Sequence, residues 1–260
     1  MKEAPTSFIQ DHPVFIGFDI GSVSLNTVIL DSNLNIIRDY YDYTHGKPFE
    51  LLFSRMDELM IEIRPNQIKL IAFTGTGGKL ASELTGGIFV NEIISQATSI
   101  GTLYPYAQTV IEIGGEDSKL ILLEKDPATG TSRLVDFEMN SICAAGTGSF
   151  LVQQARRIGV SIENEFGEMA LKSEHPPRIA GRCSVFAKSD MIHLQQIATP
   201  LHDIVSGLCF ALARNFRSTI ARIKELKLPI VVSGGVAAKQ GMVRACREAL
   251  SLTDGELIIP

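Results

Sequence analysis

Two apolar runs, each broken by a glycine turn, stand out in the hydrophobic pattern of the chain. Residues 14–31 (VFIGFDIGSVSLNTVILD) predict two strands joined by a tight turn at Gly21, and residues 108–126 (QTVIEIGGEDSKLILLEKD) repeat that arrangement. Asp19 precedes the first turn, and Glu112 precedes the second about 93 positions later. This repetition predicts two halves of related architecture.

Apolar residues at helical spacing predict the elements around these two hairpins. A third strand is expected within residues 33–48, and buried strands are expected at IKLIAF and LPIVVS, each followed by a glycine turn and a helix. Hairpins followed by helices and further strands are typical of an α/β fold in which helices cover mixed sheets. Further predicted helices cover residues 49–63, 79–86, 144–158, 165–173 and 200–226.

The boundary between the two halves is predicted near residues 94–105, in the segment ISQATSIGTLYP. We therefore expect a first subdomain over residues 14–95 and a second subdomain over residues 96–260. The last residues, GELIIP, predict one more short strand in the second subdomain.

Composition and charge narrow the class of the protein. The chain has 260 residues, 45% of them hydrophobic and 20% charged, and its net charge is −5, from 24 Lys and Arg against 29 Asp and Glu. These values are typical of a globular protein and give no reason to expect nucleic acid or an anionic membrane as the main partner. No apolar run is long enough to span a bilayer, and the N-terminal residues lack the apolar core of a signal peptide, so a cytoplasmic location is expected.

The four cysteines are widely spaced, which argues against a disulfide framework and favours reduced thiols or metal ligands. Cys209 and Cys246 lie within apolar helical patterns, which favours packing roles. Cys143 precedes the small-residue run AAGTGSFL, where a helix is expected to begin, and Cys183 lies in GRCSVF. A zinc site is the disfavoured alternative, because the spacings match no compact zinc module; its ligands would be Cys143, Cys183, His175 and His193.

The glycine turns of the two hairpins have the chemistry of a phosphate-binding site. Such turns expose backbone N–H groups and let phosphate oxygens approach without interference from a Cβ atom. Two turns would clamp a polyphosphate, and the acidic residue at each turn would hold hydrated Mg²⁺ or orient a water molecule. Gly234 and Gly235, at a later strand-to-helix turn, would let an adenosine lie against the backbone. The run TGTGGKL fits neither a P-loop nor a dinucleotide-binding motif.

Several segments together resemble a known superfamily. FDIGSVSLNTVILD, IEIGGEDSKLILL and VVSGGVAAKQGM look like the first phosphate, second phosphate and adenosine segments of the acetate kinase, sugar kinase, heat-shock 70 and actin superfamily. Within it, NSICAAGTGSFL and GRCSVFAKSDMIHLQQ closely resemble the ATP-dependent activators of 2-hydroxyacyl-CoA dehydratases, which are grouped with the ATPase components of benzoyl-CoA reductase. The resemblance covers residues 14–260, and the two cysteine motifs are its most specific part.

The resemblance implies two RNase H-like (actin-like ATPase) subdomains with a nucleotide cleft between them, and a homodimer. It also implies ATP, Mg²⁺ and one [4Fe-4S] cluster per dimer, bound by Cys143 and Cys183 of each subunit. ATP hydrolysis would drive a low-potential electron from a donor such as ferredoxin or flavodoxin into a 2-hydroxyacyl-CoA dehydratase or a related reductase. The residues agree with a shared cluster, because a cubane needs about four thiolates and a symmetric dimer presents each cysteine twice.

Carried onto this sequence, the superfamily pattern marks two sets of site residues. The catalytic candidates are Asp19, Glu112, Glu116 and Asp117. The nucleotide-binding candidates are Gly21, Ser22, Ser24, Gly114, Gly115, Lys119, Gly146, Gly234, Gly235, Val236 and Lys239.

The sequence departs from the family pattern at several positions. Asn26 stands where many members carry a lysine, so Lys119 or Lys239 is the expected substitute for that cation. Glu112 replaces the commoner Asp before the second turn, and Glu116 stands where a Gln is common in small activators. The helix that normally follows the last strand is missing, which suggests a truncated chain or the first module of a longer protein.

Two other functions stay open at this point. A small-molecule kinase of the same superfamily, such as a sugar kinase, would transfer a phosphoryl group to a hydroxyl compound and need neither iron nor the two cysteines. A nucleotide-dependent binding module would use ATP only to set its affinity for a partner and would have no redox role.

Overall fold

A computed structural model describes residues 12–140, 144–222 and 225–260. The chain forms two compact units, and the division falls between Gln96 and Ala97. Each unit contains one five-stranded mixed sheet together with helices, which confirms the α/β fold class. Within the described ranges, no helix combines the length and the hydropathy that a membrane crossing requires.

The first unit is built around a central strand that ends at a candidate catalytic residue. The sheet order is β3-β2-β1-β4-β5, with β1 antiparallel to β2 and parallel to β4. Alternate residues of β1 are buried, and Phe18 stacks on Phe73 of β4 with ring centroids 5.4 Å apart. This packing fixes the end of β1, where Asp19 lies. The elements are β1 (Val14–Ile20), β2 (Ser24–Leu30), β3 (Ile36–Tyr43), α1 (Pro48–Glu62), a 3₁₀ turn (Pro65–Gln67), β4 (Ile68–Thr74), α2 (Gly78–Thr85), β5 (Ile88–Phe89) and α3 (Glu92–Leu103), which continues past Gln96.

The second unit has a larger helical layer, whose centre is a long buried helix. Its elements are β6 (Thr109–Ile113), β7 (Ser118–Lys125), β8 (Ser132–Asn140), a 3₁₀ helix (Ala144–Gly146), α4 (Gly148–Arg157), α5 (Phe166–Leu171), α6 (Ser184–Gln196), α7 (Leu201–Thr219), β9 (Ile230–Ser233), α8 (Gln240–Leu250) and β10 (Leu257–Ile258). Most of α7 is buried in a core that also includes α4, α5 and α8. The sheet order is β10-β9-β6-β7-β8.

The two sheets have the same topology. In the second sheet β6 takes the central place that β1 has in the first, antiparallel to the next strand of its hairpin and parallel to β9. The acidic residue that precedes each glycine turn therefore has the same position in both sheets. The matched positions are Asp19, Asn26 and Thr74 in the first sheet and Glu112, Lys119 and Ser233 in the second.

Two helices differ from the sequence-based prediction. The α-helix expected from residue 144 begins at Gly148. Thr147 has extended backbone (φ −131°, ψ 170°) and separates this helix from the short 3₁₀ helix that precedes it. The long helix α7 ends at Thr219 instead of near residue 226. The chain has to return to extended backbone before Pro229, which disfavours helical conformation in the residue that precedes it.

The elements that the prediction lacked include β8 and α3. The strand β8 is marked by Val135, Phe137 and Met139, which alternate with acidic residues, but these apolar side chains are exposed. The segment 94–105, expected as a boundary, is largely helical, because it forms most of α3. The boundary between the units thus lies within a helix.

Candidate functional site

The turn between β1 and β2 brings the first group of candidate residues together. The Gly21 N–H group donates a hydrogen bond to the Ser24 carbonyl at 2.9 Å, which closes the turn around Ser22. Beside the turn, the Asn26 amide donates to the Asp19 carboxylate at 3.2 Å. Asn26 therefore positions this carboxylate by a hydrogen bond, where a lysine would have placed a positive charge.

A third segment, the turn after β4, lies against Asp19. Gly75 has φ +79°, and a Cβ atom there would overlap an Asp19 carboxylate oxygen and lie 2.7 Å from the Ile20 carbonyl oxygen. The Gly77 N–H group donates to the same carbonyl at 3.0 Å. The TGTGG turn thus belongs to the Asp19 site, although the sequence analysis gave it no role. In the sequence, the role of this turn is indicated by a group of glycines after a buried strand, because such glycines allow two backbones to approach closely.

Lys119 joins two carboxylates of the second hairpin in a buried ion group. Its amino group lies 2.8 Å from Glu112 Oε2 and 2.7 Å from Asp117 Oδ1. The Lys119 and Glu112 side chains are only 1% and 5% exposed, and the Asp117 side chain is 25% exposed. We call Glu112, Asp117 and Lys119 the buried triad. Because one ammonium is held by two carboxylates, Lys119 fixes both acidic side chains beside the glycine turn.

The start of α4 holds the turn of the second hairpin. The Gly148 and Ser149 N–H groups donate to the carbonyl oxygens of Gly114 and Gly115, each at 2.8 Å. The first N–H groups of an α-helix have no partner within the helix, so these bonds satisfy two of them. This helix was expected to begin at residue 144, directly after Cys143. That placement is wrong, since the helix begins later and its first N–H groups bind the hairpin.

The adenosine segment contacts the same hairpin through Gly234. This glycine has φ +89°, and a Cβ atom there would lie 2.5 Å from the Ile113 carbonyl oxygen and 2.7 Å from Glu112 Oε1. The Val236 N–H group also donates to the Ile113 carbonyl, at 3.4 Å. The structure thus gathers one group of candidates at one end of the second sheet: Glu112, Gly114, Gly115, Asp117, Lys119, Gly234, Gly235 and Val236.

Replacing Gly234 with alanine should cost more stability than the same change at Gly255 and should also lower nucleotide hydrolysis. Both glycines have positive φ, +89° and +93°, so alanine costs about 1–2 kcal/mol at either position. Only at Gly234 would the new methyl group press on Glu112, because no described atom lies within 4 Å of the Cβ position at Gly255. Urea unfolding and hydrolysis assays on both variants check this expectation. Equal losses at the two positions would contradict it.

Three further candidates have other surroundings. Glu116 is exposed at the tip of the second hairpin. Lys239 precedes α8, and its amino group donates to the Glu163 carbonyl at 3.1 Å; burial lowers the pKa of this lysine, and the Glu163 charge opposes that shift. A Cβ atom at Gly146 would overlap the Asn140 amide. Gly146 and Lys239 therefore have local structural partners in addition to any nucleotide.

Cys183 lies at the start of a helix in a segment that neighbouring helices hold in place. It is the residue before α6, it has extended backbone (φ −148°, ψ 125°), and it is half-buried. The Ala180 N–H group donates to the Asp190 carboxylate at 2.8 Å, and the Asn215 amide donates to the Gly181 carbonyl at 2.8 Å. The first N–H groups of an α-helix favour a negatively charged group, such as a metal cluster held by thiolates, near the N-terminus. The position of Cys183 is therefore suited to metal ligation.

Cys143 lies outside the described residues, but the residues that follow it are described. The short 3₁₀ helix after Cys143 ends at Gly146, whose Cβ position lies 3.5 Å from the Asn215 amide nitrogen. The same nitrogen donates to the Gly181 carbonyl, two residues before Cys183. The 3₁₀ helix that follows Cys143 and the segment that precedes Cys183 thus meet at Asn215, a buried residue of α7. Asn215 was not among the predicted site residues. In the sequence, only its position as an asparagine within an apolar helical pattern indicates a structural role.

The other two cysteines belong to the core of the second unit. Cys209 on α7 and Cys246 on α8 are 0% and 3% exposed. Burial raises the pKa of each thiol to about 12. Both are therefore protonated near neutral pH, and their packing roles are confirmed.

Comparisons with known proteins agree with this arrangement. Residues 16–256 match the BadF/BadG/BcrA/BcrD ATPase family. The 2-hydroxyisocaproyl-CoA dehydratase activator of Clostridioides difficile is 32% identical over 252 residues, which cover 94% of this chain and 88% of the relative.

Two solved structures have a similar fold. The activator of the 2-hydroxyisocaproyl-CoA dehydratase from Clostridium difficile with bound ADPNP has a TM-score of 0.81 and 30% identity, over 95% of this chain and 88% of that chain. The Acidaminococcus fermentans (R)-2-hydroxyglutaryl-CoA dehydratase component A has a TM-score of 0.84 and 27% identity, over 95% of this chain and 92% of that chain. These similarities confirm the actin-like ATPase fold expected from the sequence.

Proposed function

Because the chain belongs to the BadF/BadG/BcrA/BcrD ATPase family, we propose that it is an ATP-hydrolysing activator of a partner enzyme. In this role it delivers one low-potential electron from a [4Fe-4S] cluster, shared by two subunits, to a 2-hydroxyacyl-CoA dehydratase or a related reductase. The observation that carries the proposal is the meeting at Asn215 of the segment that follows Cys143 and the segment that precedes Cys183. The similarity to a relative named as a dehydratase activator supports the choice of acceptor.

The donor set fits a cluster that is shared between subunits. Cys183 is the N-cap residue of α6, where the first N–H groups of the helix favour a negatively charged group, and Cys143 would supply the second thiol of each chain. Two cysteines fall short of the roughly four thiolates of a cubane, whereas a two-fold dimer supplies all of them. Such a cluster, when bound, supplies one-electron chemistry at low potential. The contribution of the chain would be to position the segment before Cys183 through Asn215 and α6.

The start of α6 is the proposed site of contact between the two subunits. Val185 and Phe186 follow Cys183 directly, and they are 68% and 65% exposed. Large apolar side chains left in water on a protein surface mark interaction sites. A second copy packed against the start of α6 would bury both side chains next to the thiol, so dimer formation and cluster binding would support each other.

Within each unit, the glycine turn of the hairpin is the proposed binding site for phosphate oxygens of ATP. Asp19 is the acidic group next to the first turn, and the buried triad lies next to the second. The carboxylate oxygens of Glu112 and Asp117 lie within 4.8 Å of one another. Oxygen ligands of this kind suit Mg²⁺, which keeps several of its waters when it binds with a nucleotide. We therefore assign these carboxylates to Mg²⁺ and Asp19 to the attacking water.

Replacing Asp19 with asparagine should slow ATP hydrolysis by about 100-fold or more, because the amide cannot take up a proton from water. The shape of the side chain and its neighbour Asn26 are kept, so nucleotide binding should persist. Steady-state phosphate release and binding of a fluorescent ATP analogue separate the two effects. Asp57→Asn, at an exposed carboxylate on α1 of the same unit, is the matched control. Normal turnover in the Asp19 variant would remove this residue from the mechanism.

Anaerobic purification followed by iron, sulfide and ATPase assays tests the function as a whole. The proposal expects about four iron and four sulfide per dimer, ATP hydrolysis, and a difference in chelator access to the iron between the ATP and ADP states. Phosphoryl transfer to an added sugar without bound iron would establish the kinase function instead. ATP turnover no faster than nucleotide release, with no redox activity, would identify a nucleotide-dependent binding module.

A further inference from the structure

The second unit has a groove lined by arginines, here called the arginine groove. It lies between residues 178–182 and the C-terminal part of α7 with the turn that follows it, and its volume is about 680 Å³. None of its lining residues comes from the hairpins or the adenosine segment, so it is separate from the nucleotide-binding segments. The arginines that line it are Arg178, Arg182, Arg214, Arg217 and Arg222.

The positive charge of the arginine groove is not balanced by the residues that line it. No Asp or Glu is among the lining residues in the described ranges, and no described carboxylate forms an ion pair with Arg178, Arg214 or Arg222. Burial, and then the positive charge of Arg178, lower the pKa of Arg214. Like charges held together in a chain of net charge −5 favour an anionic ligand that comes from outside the chain.

The residues that line the arginine groove favour a protein surface as its ligand over a small phosphate compound. The only glycine in the described lining, Gly181, is explained by packing, since a Cβ atom there would overlap the Ala211 carbonyl of α7. The described lining therefore lacks a glycine turn that would present backbone N–H groups to phosphate, and it contains no aromatic ring for a base. Arg178, Arg182 and Arg222 are exposed. Long, exposed guanidinium groups suit carboxylates spread over the surface of a partner.

We propose that the arginine groove is the docking site of the electron donor, an acidic redox protein. This inference rests on the proposed function, because only an electron-transfer role requires such a donor. Gly181 and Arg182 line the groove and Cys183 follows them directly, so a protein docked there lies next to a proposed cluster ligand. In the transfer step the reduced donor loses one electron and the oxidised cluster gains it, and no atom or proton moves.

Binding of an acidic bacterial ferredoxin to the purified dimer tests the docking site without any need for turnover. The double variant Arg178→Gln/Arg222→Gln should weaken ferredoxin binding by about tenfold at low salt and flatten its salt dependence, as expected when rim charges steer association. Neither side chain has a hydrogen bond or ion pair among the described contacts, so folding should be unaffected. Arg133→Gln/Arg156→Gln removes the same charge from other exposed positions of this unit and should bind ferredoxin as wild type does.

Electron-transfer rates add a second readout. Reduction of the cluster by reduced ferredoxin should slow in the groove variant, while reduction by the small cation methyl viologen should stay unchanged. Three results would overturn the docking site. One is that the wild-type protein shows no ferredoxin binding, and another is that the groove and control variants bind ferredoxin equally. The third result is that the groove binds inorganic pyrophosphate instead of ferredoxin. If the protein holds no iron but binds ferredoxin through the groove, the docking site is supported and the proposed function is contradicted. The failures of the two proposals can therefore be distinguished.

Discussion

Replacing Cys183 with serine should remove the iron and sulfide from the anaerobically purified protein, from about four of each per dimer to background. A serine hydroxyl stays protonated and is a poor ligand for iron, so both subunits would lose a ligand at once. The substitution is mild for the fold, because Cys183 is the N-cap residue of α6 and serine is among the preferred residues at that position. Iron and sulfide analysis, combined with circular dichroism, measures cluster loss and folding separately.

The chain offers its own controls for this experiment. Cys143→Ser should give the same loss of iron, and Cys209→Ala, which removes a thiol from the core, should keep the iron at a modest cost in stability. ATP hydrolysis should persist in the Cys183 variant, since its hairpins and adenosine segment are unchanged. Full iron content in both the Cys143 and the Cys183 variants would contradict the shared cluster.

Local patterns explain why the hairpins and most strands could be predicted from the sequence. Glycine turns between apolar strands specify β1–β2 and β6–β7 without reference to distant residues. The position of Asp19 and Glu112 before these turns then places both carboxylates at equivalent points of two sheets. The repeated hairpin pattern of the two halves was therefore enough to predict a pair of related units.

Partners that are distant in the sequence explain what the local pattern missed. Asn215 and Gly181 are separated by 34 positions, and nothing in the helical pattern of α7 shows what a buried amide would bind. The start of α4 is set by the carbonyl oxygens of the Gly114 turn, so helix propensity alone placed it too early. Gly75 has its role because the backbone of β1 lies beside it, which only the assembled sheet reveals.

Lys119→Met should lower the free energy of unfolding of the second unit by about 3–5 kcal/mol, the usual cost of breaking a buried ion pair. Methionine keeps the length and packing of the side chain, so the loss comes from charge. Glu112, 5% exposed on its side chain, would lose its contact with the ammonium group, and Asp117 would lose the same contact. Hydrogen exchange of the β6 and β7 amides, followed in increasing urea, reports the stability of this unit by itself.

Two variants show whether the loss comes from the broken ion pairs of the buried triad. Lys125→Met changes an exposed lysine on the same strand and should cost no more than a surface substitution, within about 0.5 kcal/mol. Lys119→Met/Glu112→Gln removes the buried negative charge together with its partner and should regain part of the lost stability, because the two residues are coupled. If Lys119→Met cost no more than Lys125→Met, the triad would not hold the second hairpin together, and Glu112 would need another source of charge balance.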